Sequence, residues 1–414
     1  MVQTIIEKII SSHASASLKA GDTARCKVDF CFSNDATTIS VIEKISANRI
    51  VIPKKYAAFI DHGGPSPRVE DSAIQSRMRK FAGENKISFF DAPNGISVHV
   101  VAGLGLALPG KLILAADNAA LSLGALAAAS FNVTPAALAG LLSQGEITIT
   151  VPPTIKVILN GRIPRGVFAK DIMFDFINKI SGVVTAGRAI EFTGAVVDAL
   201  SMDARFTICS MSACLSAECA VIPADKKTFA WLSGIGIKKR DGVYADNNCA
   251  YEKVIVLDIS KLSPLVVKPA DTYACADVGS LKGLVINEAF LGGPTNSRLE
   301  DLEITAKILR GRKIHPDVKF YTAPATQEIF LRALAKGFIK TIAGAGGMIL
   351  VPGYGPCEGN HCGIPADGDV VISTANDNRR GIMGNANASV YLASPATVAA
   401  SALRGRITDP RAYL

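Results

Sequence analysis

The chain lacks three features that would each point to a large class of protein. No apolar run is long and clean enough to cross a bilayer. The Ala-rich stretch from Leu112 to Leu142 is broken by Asp117, Asn118, Asn132 and Pro135, which excludes a membrane span there. No basic stripe is interleaved with aromatics, although the net charge is +8 and the pI about 9.0. The 44 Lys and Arg are scattered, densest at Lys238-Lys239-Arg240 and Arg379-Arg380, and describe a solvated surface and not a nucleic-acid face. No internal repeat of about 20–50 residues recurs, which removes solenoids and propellers.

Charge is sparse as well. Only 19% of residues are charged against 49% hydrophobic, the balance of a globular chain and not of a disordered or fibrous one. A length of 414 residues exceeds one core and suffices for two or three. Met1 to Ile10 carries Glu7 and Lys8 in an amphipathic pattern and is not read as a signal peptide. Nine cysteines without an export signal point to a reducing, cytoplasmic compartment. Cys26, Cys31, Cys249 and Cys275 read as structural or surface thiols.

What the chain does have is alternating helical and strand periodicity, the mark of an α/β architecture. Three units are expected: 1–153, 154–283 and 284–414, with Ser263 to Lys282 as a turn-rich linker. Asn296 is expected to cap a helix that turns Leu299, Leu302, Ala306 and Leu309 to one side. Buried strands are expected to end at Asp61-His62 and at Asp117, and such strand ends are where α/β proteins place ligands.

The loop Gly353-Tyr354-Gly355-Pro356-Cys357-Glu358-Gly359-Asn360-His361-Cys362-Gly363 concentrates metal-type donors in a tight turn. It joins an ordered set of other strings: Gly292-Gly293-Pro294-Thr295-Asn296-Ser297-Arg298, Ile372-Ser373-Thr374-Ala375-Asn376, and the tail Gly405-Arg406-Ile407-Thr408-Asp409-Pro410. Earlier members are Ile60-Asp61-His62, Gly95-Ile96-Ser97-Val98-His99 and Ser201-Met202-Asp203. Together these resemble the large subunits of isopropylmalate dehydratase and homoaconitase, in the aconitase superfamily. The resemblance implies three α/β/α domains around a cleft and no swivelling domain, which such proteins carry on a separate small subunit. A small-subunit partner and a small-molecule ligand are therefore expected.

The resemblance also implies a [4Fe–4S] cluster held by three cysteines, with one iron acting as a Lewis acid. Two of those positions are Pro294 and Tyr354 here, and only Cys357 is retained. The expected cofactor state is therefore none, or a non-standard metal that Cys357, His361 and Cys362 would share. The matching substrate positions change too: Asn118, Ala119 and Ala120 follow Asp117 where the family has Ser-His-Thr, Ser210 and Cys214 replace an asparagine and a glutamate, and Asp377 and Ile382 replace two arginines. Arg379 is the nearby candidate for a carboxylate clamp, with Asn376 retained beside it.

Asp61, His62, His99 and Asp117 are the candidate catalytic residues, Asp61 orienting His62 for proton transfer. Asp377 with Asp117 suits an amino or other cationic group. Three functions stay open: a divergent lyase acting on a small hydroxylated or unsaturated acid, a cluster-free enzyme of another reaction class, and a non-catalytic binding or assembly subunit.

Overall fold

The computed structural model describes residues 1–45, 49–180, 184–271 and 274–414. The first helix, Ile5–Ala14, begins where Thr4 accepts from the Glu7 N–H and the Glu7 carboxylate accepts from the Thr4 N–H. Its Ile5, Ile6, Ile9 and Ile10 are fully buried, which fixes the helix against the first sheet.

That sheet is wholly parallel, in the order Ser88–Phe90, Tyr56–Phe59, Phe30–Asn34, Leu112–Ala116, Ala129–Asn132. Its central strands are buried from end to end, as parallel strands covered on both faces must be. Strand order reverses between Phe30–Asn34 and Leu112–Ala116, and a crevice opens past the carboxyl ends of a sheet at such a point. Asp35, Asp61-His62 and Asp117 all follow strand ends here.

A second parallel sheet runs Cys219–Val221, Ala189–Thr193, Thr154–Asn160, Lys253–Asp258. The third has seven strands: Cys275–Asp277, Leu265–Val267, Ser389–Ala393, Val370–Ser373, Glu288–Leu291, Lys319–Thr322 and Met348–Ile349. The stretch read as a linker thus supplies two of its strands, paired antiparallel. Val266 and Val267 are fully buried there, too few apolar residues in a row to signal a strand alone. We propose a three-unit division in which the third unit starts at Leu265 and not at Leu284.

The third sheet reverses between Glu288–Leu291 and Val370–Ser373. Pro294 and Asn376 follow those two strands and face the first sheet's crevice. The helix Leu299–Leu309 is capped differently from the expectation. Arg298 stands at its N-cap, the Asp301 carboxylate accepts from the Arg298 N–H, and Asn296 instead donates to Asp301. First and second units meet without a gap. A Cβ on Gly124 would lie 1.7 Å from the Ala220 carbonyl oxygen. No helix among the described residues is long and apolar enough to cross a membrane.

Candidate active site

The two reversal points enclose a cleft of about 570 Å³. The first sheet's loops bring Asn34, Thr37, His62 and Asp117 to it, and the third sheet's loops bring Pro294, Tyr354, Asn376 and Asp377. Cys214 enters from the second unit.

His62 is the electrostatic centre. Its Nδ1 donates to Asp35 Oδ1 at 3.0 Å and lies 2.7 Å from Asp61 Oδ1. The N–H points at Asp35, so Asp61 Oδ1 acts through charge and has no hydrogen bond of its own. Nε2 faces Glu358 Oε2 at 3.3 Å. Backbone geometry builds this clamp: Asp35 accepts from the N–H groups of His62 and Gly63, and Asp61 Oδ2 accepts from the Ser97 N–H.

Burial works against a charge on His62, but Asp61, Asp35 and Glu358 outweigh it and hold the imidazolium well above its usual range. Burial also raises Asp61, to about 6, despite the adjacent cation. Asp35 and Glu358 move the other way, because the hydrogen bond and charge of His62 overcome their desolvation.

The His62 ring stacks on Tyr354, whose backbone N–H is bound to the Asp61 carbonyl. Gly353 makes that approach possible: its φ is +152°, and a Cβ there would lie 2.8 Å from the Asp61 oxygen.

The remaining expected residues divide between the cleft and other places. Asp117 lines the cleft, its carboxylate accepting from the Ala119 N–H and the Ser97 hydroxyl, while burial raises its pKa. Asn376 accepts from Thr295 through Oδ1. Asp377 holds Arg379, accepting from its backbone N–H at 2.9 Å and lying 3.1 Å from its Nε. Cys214 faces the Asn376 carbonyl, and burial pushes its thiol up to about 11.

His99 is not on the cleft wall. It lines a separate hollow of about 440 Å³ with Phe206 and Trp231, its Nε2 2.8 Å from the Pro294 carbonyl. Burial and the Arg298 guanidinium bring its pKa down to about 3. Ser210 is buried without a partner, away from the cleft lining. His361 lies 3.3 Å from the Gly64 carbonyl with Cys362 beside it, and neither lines the cleft.

Three site residues escaped the sequence reading. Asp35 and Glu358 complete the His62 clamp. Lys170 is fully buried under the floor, donating to Thr295, Asn296 and the Thr374 carbonyl, and burial lowers its pKa to about 7. A signal existed for Asp35 alone, which follows a buried strand just as Asp61 and Asp117 do.

For a metal, Asp35, Asp61 and His62 are the one grouping of three such donors among the described residues. Cys357, His361 and Cys362 do not converge in that way. Cys357 instead faces the Tyr354 carbonyl at 3.1 Å, and burial raises its pKa. A three-thiolate iron–sulfur cluster does not fit this donor set. Cys214 and Cys357 are the thiols on the lining, proline offers no ligand at 294, and the Tyr354 ring is committed to His62.

A cleft at two sheet reversals, with a buried imidazolium clamped by carboxylates on its wall, has the form of an α/β acid–base site. The chain belongs to the aconitase family: it matches Aconitase family (aconitate hydratase) over residues 7–283 and 270–405. It is 37% identical over 421 residues to 3-isopropylmalate dehydratase large subunit 1 of Thermotoga maritima, covering all of both chains. The same coverage holds for 3-isopropylmalate dehydratase large subunit 1 of Methanopyrus kandleri, at 35%, and large subunit 2 of Archaeoglobus fulgidus, at 36%. Among solved structures, Thermococcus kodakaraensis aconitase X is similar in fold, with a TM-score of 0.52 at 10% identity over 86% of this chain and 84% of that one.

Proposed function

We propose that the chain is a hydro-lyase acting on a small hydroxylated or unsaturated acid by side-chain acid–base chemistry, without the family's iron–sulfur cluster. Family membership supports the hydro-lyase type, since its relatives are named as dehydratases. The observation that carries the reading is His62, kept charged on the cleft wall by Asp35, Asp61 and Glu358. A family member that had only decayed would have no reason to maintain a buried ion cluster, whose desolvation is costly.

In the dehydration direction His62 gives its Nε2 proton to the leaving hydroxyl. Asp117 takes the proton from the carbon next to the substrate carboxylate, and water departs as the double bond forms. Addition of water reverses the same two transfers. Asp61 and Asp35 orient His62 and hold its charge. Tyr354 fixes the plane of the ring.

A separate small subunit completes the enzyme on this reading, as the "large subunit" names of the relatives suggest for them. Nine free cysteines suit the reducing cytoplasm. The test is iron and sulfide analysis of anaerobically purified protein, followed by assay of His62→Ala. Stoichiometric cluster iron would overturn the cluster-free chemistry, and undiminished turnover without His62 would remove the proposed acid.

A further inference from the structure

We propose that the cleft selects a substrate bearing an ammonium group where a dicarboxylic acid would place its second carboxylate. This rests on the small-acid reading above and narrows it to a class of substrate.

The charges on the cleft wall are already spoken for. His62 is shared among Asp35, Asp61 and Glu358, and Arg379 is held by Asp377. Lys170 lies beneath the floor, bound to Thr295, Asn296 and the Thr374 carbonyl. Of the lining's cations, His62 is enclosed by carboxylates and Arg379 is drawn to Asp377 through Nε, so each already has a carboxylate beside it. The lining carries the carboxylates of Asp117, Glu358 and Asp377 against the cations His62 and Arg379. Carboxylate is therefore in excess there, with Asp117 unpaired by any cation among the described residues, and that excess repels a dianion.

A second observation points to a hydrogen-bond donor on the ligand. Asn378 lines the cleft and is only 2% exposed. Its Nδ2 donates to the Lys268 carbonyl, which fixes the amide orientation and leaves Oδ1 buried with no partner. A buried acceptor without a donor costs free energy, and a ligand N–H offsets that cost. Asp377 and Asn378 both line the cleft, and an open acceptor with a carboxylate on the same wall suits an ammonium. Asn376, also on the lining, has its Oδ1 occupied by Thr295, which leaves its amide N–H groups as donors suited to a ligand carboxylate.

The test is isothermal titration calorimetry of the full chain with two near-isosteric probes, malate and 4-amino-2-hydroxybutanoate. The amino acid should bind about tenfold more tightly than malate. Asp377→Arg should invert that order, and Asn378→Ala should weaken the amino probe while leaving malate unchanged. Thermal unfolding of both variants shows whether each is folded. Malate bound as tightly as the amino probe, or more tightly, overturns the ammonium preference and leaves the hydro-lyase reading standing. Binding of neither probe at millimolar concentration overturns both.

Discussion

The imidazole of His62 lies flat on the phenol ring of Tyr354, with centroids 3.9 Å apart and planes inclined by 16°. A charged ring stacked on an aromatic face is attracted by the ring's quadrupole, and the contact holds the imidazole edge towards the cleft. Position 354 is therefore occupied by a side chain that supports His62, where the family resemblance places a metal ligand. Tyr354→Phe keeps the stack and should leave stability within about 1 kcal/mol of the parent. Tyr354→Ala should cost about 3–5 kcal/mol in urea unfolding.

Two of the five histidines should stay fixed in opposite states. His62, raised by its carboxylates, should stay protonated above the pH at which a free imidazole titrates, and His99, lowered to about 3, should be neutral there. Ring resonances in NMR spectra check both. The sign for stability follows. The contribution of His62 is complete below its unfolded value of about 6.5 and is lost as pH rises through the higher folded value. Asp61, raised to about 6, has the same sign in a lower window, complete below about pH 4 and lost by about pH 6.

Gly353→Ala should separate the loop from the first sheet. Its methyl meets the Asp61 oxygen, so the Tyr354 N–H bond to that oxygen lengthens and the ring stack opens. A loss of about 1–3 kcal/mol is expected, read by thermal unfolding. An unchanged melting temperature would contradict the close approach.

Thiol labelling should sort the cysteines by access. Cys362 is exposed and should react first with a maleimide, half-buried Cys214 on the cleft lining more slowly, and buried Cys357, raised by desolvation, only on unfolding. Mass spectrometry of peptides identifies the order.

Lys170→Met should destabilise by about 1–3 kcal/mol, because Thr295, Asn296 and the Thr374 carbonyl lose a buried donor. The native lysine has a lowered folded pKa, so over about pH 7–10 the unfolded chain binds the extra proton. Stability of the parent should rise with pH across that window relative to the variant.

Much of the site could be read because it sits at strand ends. Asp61, His62 and Asp117 follow runs such as Tyr56–Phe59 and Leu112–Ala116, whose apolar residues mark them as buried strands. The signal for Asp35 was weaker than for Asp61 and Asp117, because its buried strand ends in the polar pair Ser33-Asn34. The Ser33 hydroxyl is satisfied by Thr38 and by the Tyr56 hydroxyl, so a polar residue sits in a fully buried strand. Glu358 meets His62 from a distant part of the chain, and no local pattern encodes that encounter. The expected role of His99 depended on which side of its helix faced the cleft. Contacts with Pro294 and Arg298, both distant in sequence, turn it the other way.

Gly124 sets a rule for recombining this chain with its relatives. With the Ala220 oxygen where a methyl would have to go, residue 124, in the helical turns Asn118–Leu126 after the first sheet's strand Leu112–Ala116, and the second sheet's strand Cys219–Val221 form one unit. A chimera that takes its second sheet from another parent must take the segment around 124 from that parent too, or keep glycine there. A crossover near residue 153, which a map of sheets alone would recommend, cuts through this contact.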